Sequence, residues 1–143
     1  MKFFLKLTAV ITFVFLLCFF SCKKDNNNTV PIVAVDIYIY TTNPSFINLN
    51  PIGGWVYITG GVRGIIVYRK SSSEFIAYER NCTYHSDDIS ATVVVDNTNI
   101  IATDTTCHSK FSLYDGTILH GPAGLPLKQY STTFDGTVLH IYN

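Results

Sequence analysis

Gly64-Ile-Ile-Val-Tyr-Arg69, then Lys70-Ser-Ser-Ser73, then Glu74-Phe-Ile-Ala-Tyr-Glu79 is the stretch that decides the fold class. Two runs dominated by β-branched and aromatic residues flank a short polar segment, which is the pattern of a β-hairpin. The neighbouring sequence repeats it. Val35-Asp-Ile-Tyr-Ile-Tyr-Thr41 alternates as a first strand, and Trp55-Val-Tyr-Ile58 is a short strand ending at Gly60-Gly61. Between them Asn43-Pro44, Asn50-Pro51 and Gly53-Gly54 punctuate a loop, in which Phe46, Ile47 and Leu49 are expected to lie across the sheet. Residues 92–95 and 100–102 flank Asp96-Asn-Thr-Asn99 as a second hairpin. Phe111-Ser-Leu113 turns through Tyr114-Asp-Gly116 into Thr117-Ile-Leu119, and residues 127–132 and 137–142 close the chain around Phe134-Asp-Gly136. Turns of this composition suit tight antiparallel connections. No stretch of roughly 11 residues or more keeps a helical period. The expectation is an all-β domain of antiparallel sheets with little helix, a sandwich or a small barrel.

The N-terminus has a different composition. Lys2 and Lys6 precede the uncharged run from Leu7 to Phe20, whose 14 residues fall short of a permanent bilayer span, for which roughly 20 are needed. The run ends in Phe20-Ser21-Cys22, a small residue directly before a cysteine. Cys18 follows the bulky Leu17, so Cys22 is the better processing site. The segment resembles the signal and lipobox of bacterial lipoproteins, in which the cysteine thiol takes a diacylglyceryl group before cleavage. That resemblance implies residues 1–21 as a signal peptide and Cys22 as the lipidated first residue of the mature chain. Multiple acyl chains give stable anchoring. Residues 22–34, with the Asn-rich run Asn26-Asn-Asn28, read as a flexible tether, and residues 35–143 as the domain. The Ser-Cys-Lys-Lys-Asp-Asn start is similar to lipoproteins of the Bacteroidetes, and Lys23 follows the cysteine where aspartate would signal inner-membrane retention. The outer membrane, periplasmic or surface-facing, is the favoured location.

Removing the first 21 of 143 residues leaves 122, enough for one modest domain with a real core. Lys2 and Lys6 go and no acid goes, so ten Lys and Arg become eight against ten Asp and Glu. No basic run remains, which excludes nucleic acid as a partner class.

Gly116-Thr-Ile-Leu-His-Gly121-Pro122-Ala123-Gly-Leu-Pro126-Leu127-Lys-Gln-Tyr130 resembles the segment that follows the second cluster-binding loop of Rieske 2Fe–2S proteins. Glu74-Phe-Ile-Ala-Tyr-Glu-Arg-Asn-Cys82 is similar to the strand entering their first cluster loop, and Ser109-Lys110-Phe111 to the close of the second. The resemblance covers about residues 35–143 and implies three stacked antiparallel sheets. It also implies two cysteines and two histidines on the cluster, as C-x-H in one loop and C-x-x-H-G in the other. Here the residue types are present and the spacing is not. Read without gaps, the four ligand positions are Cys82, Tyr84, Asp104 and Cys107, with His108 in place of the glycine.

Phenolate and carboxylate are hard oxygen donors, and no imidazole pair remains for the second iron. A one-residue slip in each loop restores Cys82, His85, Cys107 and His108 as an alternative metal set, although Cys107 and His108 are adjacent. No common zinc motif uses such a pair. Without Cys22, Cys82 and Cys107 are the two cysteines of the mature chain, and a pair in an exported protein is expected to be bridged. In the fold the resemblance implies, both loops converge, which places the two thiols near each other.

Other candidates read more simply. His85, Asp87 and Asp88 suit a polar loop tip, and His120 and His140 suit surface positions on a sheet. Tyr38, Tyr40, Tyr57 and Tyr68 alternate along strands, for core packing and cross-strand pairing or as an exposed face for a partner or glycan. No serine elbow with a partnered base supports a hydrolase. The expectation is therefore a lipid-anchored, Rieske-like all-β protein that lacks the cluster, has no bound cofactor and no catalysis of its own, and serves a structural or binding role. Its partners would be the membrane, through the anchor, and an envelope protein or ligand. The alternative is a 2Fe–2S electron carrier using the shifted ligands.

Overall fold

The computed structural model describes residues 29–143. The expected signal and Cys22 lie outside the described residues. Ten strands form two antiparallel sheets, with one 3-10 segment and no other helix among the described residues. Among them no helix is long and apolar enough to cross a membrane.

The hairpin of residues 64–79 is the centre of the fold. Strands β3 (Ile65–Arg69) and β4 (Phe75–Glu79) pair from Ile65↔Glu79 to Arg69↔Phe75, and β2 (Trp55–Ile58) pairs on the far side of β3. On the other side β4 meets β9 (Gln129–Phe134) through only Ala77↔Tyr130 and Tyr78↔Gln129. Strand β9 then pairs over its C-terminal half with β10 (Val138–Tyr142), which carries β1 (Asp36–Tyr40) at the edge. The second sheet holds β5 (Val93–Val95), β6 (Ile101–Asp104), β7 (Lys110–Ser112) and β8 (Ile118–His120) in chain order.

Side chains alternate across a strand, so the hairpin β3–β4 feeds two cores. Ile65, Val67, Phe75 and Ala77 pack with Ile39, Tyr130, Leu139 and Ile141. Their neighbours Ile66, Tyr68, Ile76 and Tyr78 pack the opposite way, with Val93, Ala102, Phe111 and Leu113. Burial on both faces is why these two strands are apolar along most of their length.

Several local expectations are corrected. Residues 44–49 form a 3-10 segment where a loop was expected; Leu49 and Phe46 do pack on the first sheet's core, and Ile47 does not. Asn43 caps a 3-10 segment, Pro44–Leu49, by accepting a 2.9 Å hydrogen bond from Ser45 N–H, and Pro44 suits its first turn. The tighter turn buries Leu49 fully and leaves Ile47 62% exposed. Phe134 belongs to β9, and the turn begins at Asp135. Of the four alternating tyrosines, Tyr68 enters the core, whereas Tyr38 and Tyr40 are 58% and 60% exposed on the edge strand. Tyr38 stacks on His140 at 4.1 Å, and His140 stacks on Tyr142 at 4.6 Å. The last residues before β1 are docked: Lys128 Nζ donates to Pro31 O, and Asn143 Nδ2 donates to Val33 O.

Candidate functional site

Two loops and a covering segment build the site. The first loop leaves β4 and runs over residues 80–91. It is closed at its neck by the bridge Asn81↔Thr92 and by Cys82 N–H donating to Ala91 O at 3.2 Å. Asn81 spans its inside, donating through Nδ2 to Ser86 O at 2.9 Å and accepting from Arg63 Nε at 2.6 Å. Arg63 also donates to Ile89 O, so one guanidinium clasps both ends of the loop.

The second loop joins β6 to β7. Asp104 organises it: Oδ1 accepts from Thr106 N–H at 2.9 Å and from Cys107 N–H at 2.6 Å. The chain then turns at His108, whose φ of 58° lies in the left-handed region that favours glycine. Ser109 Oγ accepts from Cys107 Sγ at 3.0 Å and from Ala123 N–H at 3.1 Å. The Gly121-Pro122-Ala123 run thereby lies against the second loop. A Cβ at Gly121 (φ 101°) would come within 2.6 Å of Ser109 Cα, so glycine is needed for that approach. Thr83 Oγ1 donates to Leu125 O at 2.8 Å, which fastens the first loop to the same segment.

At the convergence Cys82 is fully buried, Cys107 half-buried, and their Sγ atoms stand 3.7 Å apart without a bond. A carboxylate oxygen of the buried Asp104 joins them, the three ligand atoms lying within 4.8 Å of one another. Burial pushes the Cys82 thiol up to about 12, against the opposing effect of the His85 and Tyr84 N–H groups directed at its sulfur. Tyr84 N–H lies 3.4 Å from that sulfur. Asp104 Oδ2 is buried and has no hydrogen-bond partner.

The structure thus brings together three of the four residues at the ungapped ligand positions. The imidazoles of the shifted set stay outside that group. His85 rests half-buried against the Tyr84 ring at 4.3 Å, and His108 is exposed beside Cys107. A Rieske cluster needs two imidazoles on one iron, so this donor set does not fit one. No protein-family model matches the chain, and no curated protein sequence matches it.

Elsewhere a shallow groove of about 980 Å³ runs between the 45–54 loop, β2 and residues 98–100. It is lined by Ile47, Ile52 and Trp55 among others and contains no Cys, His, acid or Lys/Arg side chain, so the chemistry-bearing groups lie at the cysteine loops instead. The residue that sequence reasoning missed is Glu79. It is fully buried and accepts from Val62 N–H, Arg63 N–H, Asn81 N–H and the Tyr130 hydroxyl. An acid closing an apolar strand, in a chain with a Gly60-Gly61 turn, was its only sequence trace.

Proposed function

We propose that this chain is a lipid-anchored cell-envelope protein whose Rieske-like domain carries no iron–sulfur cluster and serves a structural or binding role. The observation that carries the reading is the donor set at the loop convergence: two thiols and a carboxylate, with no imidazole within the group. Support for a Rieske-like fold comes from the two-sided β3–β4 layer and from the Gly-Pro-Ala run lying against the second loop. His108 in a left-handed turn is a third support, since it stands where the family pattern has glycine.

In an oxidising envelope the same two thiols are the expected covalent tie between the loops. Cys82 and Cys107 lose two protons and two electrons as Sγ–Sγ forms, and the disulfide of a thiol oxidase is reduced to its dithiol. The 25-residue separation closes a loop worth about 3.5 kcal/mol in the chain-entropy model.

The test is the full chain extracted from its host membrane in detergent. Expected are a colourless protein without iron, no titratable thiol after denaturation, and acyl label on Cys22 that Cys22→Ala abolishes. A red-brown protein with an EPR signal after reduction would overturn the cluster-free reading. Two free thiols in the freshly isolated, metal-free chain would overturn the disulfide. Acyl label retained by Cys22→Ala would overturn the anchor.

A further inference from the structure

We infer that the reduced chain binds one zinc-class divalent cation between Cys82 Sγ, Cys107 Sγ and the Asp104 carboxylate. Three independent features of the site point there. The first is spacing. Two thiolates on a tetrahedral zinc, each at about 2.3 Å, stand roughly 3.8 Å apart, and the two sulfurs here are 3.7 Å apart. The second is the orphaned oxygen. Asp104 is fully buried, its Oδ1 is held by two backbone N–H groups, and Oδ2 has no partner. A buried carboxylate oxygen without a donor is costly; a cation beside it removes that cost. The third is the surrounding shell. Tyr84 N–H is aimed at the Cys82 sulfur. Ser109 Oγ accepts from Ala123 N–H, which leaves its own proton able to turn toward the Cys107 sulfur once that sulfur is a thiolate. Donors of this kind hold ligands in place and offset the charge of two thiolates and a carboxylate around one dication.

Sulfur donors with one carboxylate suit a borderline-soft d¹⁰ ion better than magnesium or calcium, which take oxygen ligands. On binding, two S–Zn bonds form and the two thiol protons leave to solvent. Three protein ligands leave the fourth tetrahedral position to water. The site uses the same thiols as the proposed disulfide but does not depend on it, because it belongs to the reduced state.

The test uses the full chain in detergent, reduced and stripped of metal, titrated with Co²⁺ and then Zn²⁺. Expected is one Co²⁺ per chain with thiolate charge-transfer bands and the intense visible bands of tetrahedral cobalt, displaced by one Zn²⁺. Asp104→Asn keeps an Oδ1 for the two backbone donors and removes the ligand oxygen. It should weaken Zn²⁺ binding by no less than the ~10–100-fold that outer-shell changes cost, with oxidation to the disulfide unaffected. If that variant does not fold, alkylation of the wild-type chain decides: equimolar Zn²⁺ should protect both Cys82 and Cys107. Absence of the cobalt spectrum in the folded, reduced chain overturns the proposal. So does unchanged affinity in Asp104→Asn, or alkylation indifferent to Zn²⁺. The disulfide reading is judged separately, on the chain as isolated before reduction.

Discussion

The Tyr130 hydroxyl donates a 2.6 Å hydrogen bond to Glu79 Oε2, joining β9 to β4 where the two strands share only two paired positions. Both side chains are shut off from solvent. Glu79 also collects the N–H groups of Val62 and Arg63 from the turn after β2 and that of Asn81 from the first cysteine loop. One carboxylate therefore ties together three segments that meet below the candidate site. Removing the phenol hydroxyl with Tyr130→Phe removes one charge-assisted bond and is expected to cost about 1.5–3 kcal/mol. Glu79→Ala strands all four donors, those of Val62, Arg63, Asn81 and Tyr130, and should cost more, to the point of preventing folding. Urea unfolding followed by Trp55 fluorescence checks the order. Equal losses in the two variants would show that the carboxylate is not the hub.

Alkaline pH should attack the same contact. Burial, then the bond to Glu79, raises the Tyr130 pKa well above its ordinary value, and burial does the same for Tyr78. A group whose pKa is raised by folding gives stability that is present below its unfolded pKa, near 10, and lost as pH rises toward its folded value. Each tyrosine then contributes a loss of about 1.4 kcal/mol per pH unit across that window. Stability measured by urea midpoint is expected to fall above pH ~10, with a shallower slope in Tyr130→Phe. A slope unchanged by the substitution would remove Tyr130 from the account.

Glycine positions separate backbone strain from crowding. Gly61 (φ 62°) and Gly136 (φ 102°) both lie in the left-handed region. A Cβ at Gly61 would strike the Glu79 carboxylate and the Tyr130 hydroxyl, whereas one at Gly136 meets nothing within 4 Å. Gly136→Ala is expected to cost roughly 1–2 kcal/mol, the strain alone. Gly61→Ala should cost clearly more and release the Tyr130 contact. Thermal melts of the two variants side by side decide it, and a milder Gly61→Ala would refute the crowding.

Arg63 reaches across from the turn after β2 to hold both Asn81 and Ile89. Arg63→Ala should loosen residues 81–89 with a modest loss of global stability, on the order of 1–3 kcal/mol for bonds to a charged group. The sensitive readout is chemical. In the reduced variant Cys82 should be alkylated faster, with Cys107, on the other loop, changed less. Equal acceleration at both thiols would mean that the clasp acts on the whole site.

The proposed disulfide between Cys82 and Cys107 would have its own signature. Oxidised wild-type chain should exceed its reduced form by about 3.5 kcal/mol, whereas Cys82→Ser with Cys107→Ser should be indifferent to reductant. A reductant effect that survives the double substitution would place its origin outside this pair.

The all-β class, the β3–β4 hairpin and most strand positions were legible in the sequence, because they rest on neighbours: period-two alternation and turn residues act within a few positions of each other. The 3-10 form of the 44–49 segment was not legible, for a physical reason. Its 3-10 turn depends on the Asn43 cap and on burial of Leu49 among residues from other strands, which no local pattern records. The nearness of Cys82 to Cys107, 3.7 Å between sulfurs, was legible only through a family resemblance. Asp104 was legible only as the occupant of a ligand position, where its oxygen chemistry argued against a cluster.

The sequence by itself determined that this is a strand-built domain, with Cys82 and Cys107 as the two cysteines downstream of a lipoprotein-like start that holds Cys18 and Cys22. Only the tertiary structure decided what surrounds those cysteines. Folding brings a carboxylate to within 4.8 Å of both sulfurs and leaves one of its oxygens partnerless, while His85 and His108 stay out of the group. It also drew Glu79, an unremarked strand end, into the centre of the scaffold. Both outcomes are set by contacts between segments far apart in the chain, where burial raises the cost of every unpaired polar atom.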